Sequence, residues 1–184
     1  MELRIGQCRI PLGRILPRRF LAVILLVGTA VAALGAPSAL AAKSLVGKKA
    51  PNFVRTGLNG ARLDLKNYRG KVVLLNFWAT WCAPCQIEMP IFAAWQRQDG
   101  PQGLQIIGIS MDDGPTPVRK LLSKMKLTYP VAMGDAHLGE LYGGVLGLPL
   151  TYLIDRNGIV RARFQGETDP KIIEKQLKLL LLRR

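Results

Sequence analysis

A strand-like run, Val72-Val73-Leu74-Leu75-Asn76-Phe77-Trp78, leads within four residues to Cys82-Ala83-Pro84-Cys85, and a helix-like run follows from Gln86. A sharp strand-to-helix junction fits all three pieces. It places Cys82 where the first N–H groups of a helix lack partners and the dipole is positive. A thiolate is stabilised there, so the thiol becomes a nucleophile near neutral pH. The bend brings Cys85 within reach. Attack by Cys82 on a substrate disulfide gives a mixed disulfide, which Cys85 resolves. A fixed disulfide or half a zinc site is the competing reading. Zinc normally needs a second ligand pair. The only other cysteine is Cys8 and the only histidine is His137, placed like a surface residue.

The 184 residues fit one domain plus an N-terminal extension, and an apolar fraction of 49% supplies a sizeable core. Met1 to Arg19 carries five arginines and one acid, whereas Phe20 to Ala42 has no charged residue. Ala39-Leu40-Ala41-Ala42 closes that stretch. This is the order of a secretory signal. Two readings of residues 1–42 follow: a signal cleaved after Ala41 or Ala42, or an uncleaved membrane anchor. Both place residues 43–184 outside the cytoplasm, periplasmic or otherwise extracytoplasmic, because the arginines stay inside. From Lys43 onward 21 Lys/Arg face 11 Asp/Glu, a net +10. That balance suits a soluble surface or attraction to acidic partners and anionic membrane. An exported chain without long basic runs is no nucleic-acid binder.

Patterning predicts the remaining elements. Phe53 to Leu65 reads as a hairpin around Gly57-Leu58-Asn59-Gly60. Val72–Trp78 and Leu104–Ser110 read as buried strands. The helix after Cys82 is expected to reach about Gln98, kinked at Pro90, with Ile87, Ile91, Phe92 and Trp95 in the core. Asp112 and Asp113 look like loop or cap residues. Thr116 to Lys126 reads as a basic amphipathic helix, Tyr129 to Met133 as a short strand and Asp135 to Tyr142 as a short helix. Leu150–Asp155 and Ile159–Phe164 form a hairpin about Arg156-Asn157-Gly158. Thr168-Asp169-Pro170 starts a last helix with a packing face of Ile172, Ile173, Leu177, Leu180 and Leu181. Membrane-surface contact is the alternative for this basic, leucine-rich tail. Alternating strands and helices imply an α/β fold with a mixed sheet.

Four stretches together resemble the thioredoxin superfamily: Ala50-Pro51-Asn52-Phe53, Leu75 through Cys85, Glu88-Met89-Pro90, and Gly147 through Asp155. More narrowly, they resemble its exported TlpA/ResA/CcmG group of thiol–disulfide oxidoreductases. The resemblance implies a thioredoxin fold over residues 43–184, with an N-terminal hairpin and a central helix-bearing insertion around Gly114–Gly134. It implies that Cys82 attacks and Cys85 resolves, that Pro149 is the cis-proline opposite the sulfurs, and that Leu148 offers backbone groups to an extended substrate. Trp81 would rim the site, and Trp78 would sit in the core.

Glu88 lies one helical turn after Cys85. A shielded carboxyl there would have a raised pKa and could exchange a proton with a thiol. The bland reading is a solvated first-turn glutamate; the resemblance, whose group carries a functional acid at this spacing, favours the catalytic one. Asn76 stands where thioredoxin has a buried aspartate, so a protein proton relay must come from elsewhere. Leu150 departs from the group's commoner threonine.

The function expected is reduction of disulfides in exported proteins through the Cys82/Cys85 dithiol, with no cofactor beyond that redox-active disulfide. Partners implied by the resemblance are apocytochrome c or copper-assembly proteins, with a membrane thiol reductant as electron donor. A Cu(I) chaperone using the same cysteines and a thiol peroxidase are the alternatives.

Overall fold

The computed structural model describes residues 44–183. The signal or anchor expected over residues 1–42 lies outside them. Among the described residues no helix is long and apolar enough to cross a membrane.

An antiparallel hairpin, β1 (Val54–Thr56) and β2 (Arg62–Asp64), opens the domain. Its turn uses Gly60 at positive φ, a conformation that costs glycine nothing. The main sheet holds β3 (Val72–Trp78), β4 (Leu104–Ser110), β5 (Val131–Met133), β6 (Leu150–Ile154) and β7 (Val160–Gln165) in the order β5-β4-β3-β6-β7. β3 pairs parallel with β4 and antiparallel with β6. The sheet is therefore mixed. All seven residues of β3 are buried, as its unbroken pattern requires of a strand covered on both faces.

Side chains alternate across the sheet. Val72, Leu74 and Trp78 face one cluster with α1 (Ala83–Asp99) and α4 (Pro170–Leu182). Val73, Leu75 and Phe77 face the other, with the hairpin and α3 (Ala136–Leu141). There Phe77, Tyr142 and Tyr152 pack their rings together. Among the described residues the buried core runs from Ala50 to Leu181, and these residues fall within one compact unit. The carboxylate of Asp99, fully buried at the end of α1, accepts from Lys178 Nζ at 2.7 and 2.9 Å and locks α4 onto α1.

Three expectations need correction. Ile87 is 64% exposed, because the buried stripe of α1 runs through Cys85, Glu88, Met89, Phe92 and Ala93, on the other side of the helix. Ile172 is 51% exposed, whereas its neighbour Ile173 takes the core position. The helix expected to reach Lys126 is α2 (Pro115–Leu122). After it the amide of Met125 bonds to the carbonyls of both Leu121 and Leu122 as the chain tightens and turns toward β5.

Candidate active site

The sequence places Cys82 at the N-cap of α1, with Pro84 in the first turn, where proline's missing N–H is no loss. Cys82 and Cys85 form a disulfide, with S–S 2.02 Å and Cα–Cα 5.3 Å. The amide of Cys85 also donates to Cys82 Sγ at 3.3 Å. In the reduced protein that N–H, at the positive end of a 17-residue helix, is positioned to stabilise a Cys82 thiolate. Both sulfurs are nearly covered, at 5% and 1% exposure, and Trp81 beside them is 72% exposed. Trp78 is fully buried.

The Leu148–Pro149 bond is cis. Pro149 immediately precedes β6, whose first residue pairs with Phe77 near the end of β3. Leu148 packs against the cluster that contains both cysteines. The Pro149 carbonyl accepts from Gly166 N–H at 2.8 Å, whereas Leu148 makes no backbone–backbone hydrogen bond among the described residues.

Glu88 sits on the buried stripe of α1, one turn after Cys85, at 5% exposure. Its Oε2 has no hydrogen-bond partner among the described residues. Burial, with a smaller push from the Glu167 carboxylate, raises its pKa to about 7. The hydroxyl of Tyr129, also buried and without a partner, has its pKa raised by burial and by nearby Glu88. Glu88 is therefore a buried side chain and not a solvated one. Asn76 is buried and donates from Nδ2 to Thr151 Oγ1 at 3.0 Å, so the sheet beneath the site holds a neutral pair.

Sequence reasoning missed the bracket beneath the loop that carries Trp81 and Cys82. Asp112, expected as a loop or cap residue, is 9% exposed. Its Oδ2 accepts from Thr80 N–H at 2.9 Å and Ser110 Oγ at 2.8 Å, and its Oδ1 from Thr80 Oγ1 at 2.5 Å. Gln86 Nε2 donates to the Thr80 carbonyl at 2.7 Å from the helix side. Thr80 is thus held from both flanks. The sequence signal was present, since a Ser-x-Asp at a strand end can fold back on its neighbours. Replacing Asp112 with alanine strands three donors. It is expected to destabilise the domain by about 2–3 kcal/mol and to slow disulfide exchange. Asp112→Asn, which keeps the shape, should cost less. Urea unfolding and exchange rates check both.

The AhpC/TSA family profile matches residues 46–163. The chain belongs to the AhpC/TSA family. Among its relatives, the thiol-disulfide oxidoreductase ResA of Bacillus thuringiensis subsp. konkukian is 38% identical over 138 residues, 74% of this chain and 79% of the relative. ResA of Bacillus subtilis is 33% identical over 135 residues, covering 73% and 75%. A crystal structure from Chlorobium tepidum, assigned as the thiol:disulfide interchange protein DsbE, superposes with a TM-score of 0.70 at 32% identity, covering 74% of this chain and 97% of that one. These relationships, together with the Cys82–Cys85 pair, make this AhpC/TSA-family chain a thiol–disulfide oxidoreductase with protein-disulfide reductase activity.

Proposed function

We propose that the protein is an extracytoplasmic dithiol reductant that delivers two electrons and two protons to disulfides of exported proteins. The observation that carries the reading is the Cys82–Cys85 disulfide at a helix N-terminus with a buried, partnerless carboxyl one turn further on. In the reduced protein the Cys82 thiolate attacks one sulfur of a partner disulfide. The other partner sulfur leaves as a thiolate and takes a proton. Glu88, with its pKa near 7, accepts the proton of Cys85. The Cys85 thiolate then attacks Cys82 Sγ, expels the second partner thiolate and leaves the disulfide described above. A membrane dithiol resets it, becoming oxidised in turn.

Substrate recognition follows from the same end of the sheet. The vacant backbone groups of Leu148 suit an extended segment added as a short strand. Exposed Trp81, beside Cys82, and exposed Leu146, two residues before Leu148, offer an apolar rim for a peptide. An unfolded partner with closely spaced cysteines fits such a site, which favours apocytochrome c or a copper-assembly protein. The five arginines before residue 20 and the uncharged stretch of residues 20–42 support the location, as a signal or an anchor.

The reduction potential of the domain over residues 43–184, measured in defined thiol buffers, tests the direction. A value between about −270 and −200 mV is expected for a reductant. A value near the roughly −120 mV of a strong oxidant would assign disulfide donation instead.

A further inference from the structure

The outer face of α4 is apolar where a surface helix is ordinarily polar. Ile173, Leu177, Leu180 and Leu181 fill the core, yet Ile172 and Leu179 are each 51% exposed and Leu182 is 80% exposed. Ile172 and Leu179 are seven residues apart and share one stripe. They line a groove of about 740 Å³ whose rim carries Arg161, Lys171, Lys175 and Arg183 and no acidic residue. Among nearby cations, Lys178 is held by Asp99 and Arg161 is paired with Asp155 at 2.6 Å. Lys171 and Lys175 have no carboxylate partner among the described residues.

The path of the incoming chain points the same way. Gly47 N–H donates to the Val160 carbonyl at 2.8 Å, and Val160 N–H donates to the Lys48 carbonyl at 2.9 Å. Lys49 bridges to Ile159. The segment that follows the apolar stretch of residues 20–42 is therefore stitched next to Arg161, and it adds exposed Lys48 and Lys49 to this end of the domain. Along the strands the dithiol lies at the end opposite this segment, and the chain entering α4 passes beside it, where Gly166 N–H donates to the Pro149 carbonyl. Pro149 precedes β6 at Leu150, whereas Val160 pairs with Ile154, about 13 Å away along the strand.

We propose that the outer face of α4 docks on an anionic lipid surface. The lysines and arginines meet acidic headgroups, and Ile172, Leu179 and Leu182 enter the interface between headgroup and acyl chain. Where this happens in the cell rests on the export reading above; the binding itself does not.

The domain over residues 43–184, whose core is self-contained, is sedimented with vesicles of phosphatidylcholine alone or mixed with phosphatidylglycerol. Binding to the mixed vesicles and release by high salt are expected. Lys171→Gln with Lys175→Gln should weaken binding roughly 25-fold, at about fivefold per lysine lost. Ile172→Ser with Leu179→Ser should weaken it by about tenfold. Exchange with a small soluble disulfide should stay unchanged in both variants. Equal partition onto both vesicles, no partition at all, or indifference to these substitutions would overturn the proposal. So would a dimer of the free domain that disappears in Ile172→Ser/Leu179→Ser, which assigns the face to a second copy. An oxidising reduction potential would overturn the reductant reading and leave the vesicle result standing.

Discussion

Replacing Cys82 with serine is expected to reduce disulfide exchange by roughly 10³-fold or more, the scale of losing a catalytic nucleophile. Replacing Cys85 is expected to do something different in kind. In Cys85→Ser the thiolate at the helix N-cap remains, so partners are attacked but not released. Stable mixed disulfides should accumulate and be visible as mass-shifted species on non-reducing gels. The asymmetry follows from the geometry. Cys82 sits at the cap and receives the Cys85 N–H at 3.3 Å, whereas Cys85 is inside the first turn and 1% exposed. A partner therefore meets Cys82 first. If Cys82→Ser trapped partners and Cys85→Ser did not, the roles would be exchanged.

Glu88→Gln is expected to change both the pH profile and the stability of the protein. The folded pKa of about 7 stands above the ordinary 4.5. Below pH 4.5 both folded and unfolded chains hold this proton, and Glu88 adds no pH dependence. As pH rises toward 7 the unfolded chain releases the proton first, so stability falls. Above about pH 7 the loss is complete, at most about 3 kcal/mol. The glutamine variant lacks this linkage. It should match the parent near pH 4 and exceed it at pH 8, by chemical denaturation at both pH values. Its resolution step should meanwhile slow, and the limb of the rate profile near pH 7 should vanish. A stability gap that does not grow between pH 4 and 8 would mean that Glu88 keeps an ordinary pKa in the folded chain.

Most of the fold was legible because its patterns are local. The unbroken run Val72–Trp78, the Asn157-Gly158 turn and the Asp169-Pro170 helix start each carry their own structural instruction. The relation of the two cysteines was legible for the same reason, and so was the place of Glu88 one turn further on; its burial was not, since spacing alone left a solvated glutamate equally open. What escaped was set by tertiary neighbours. Ile87 and Ile172 are hydrophobic residues on the wrong side of their helices, and only the placement of the sheet decides which side that is. Asp112 reads as a loop residue until β4 brings it under Thr80, 32 positions earlier in the chain. The charge of Glu167 reaches Glu88 from beyond β7, with no sequence signal linking them.

The Asn76–Thr151 pair has a consequence for how such a protein can diversify. Neither side chain ionises in the working pH range, so the position on β3 that these two residues fill carries no titrating group. In the proposed mechanism, proton handling falls to one removable group on the helix, Glu88. The sheet can then drift in sequence without retuning the acid–base behaviour, and the helix can be retuned without disturbing the sheet. Scaffold and reactivity are in this respect separate modules within one small domain.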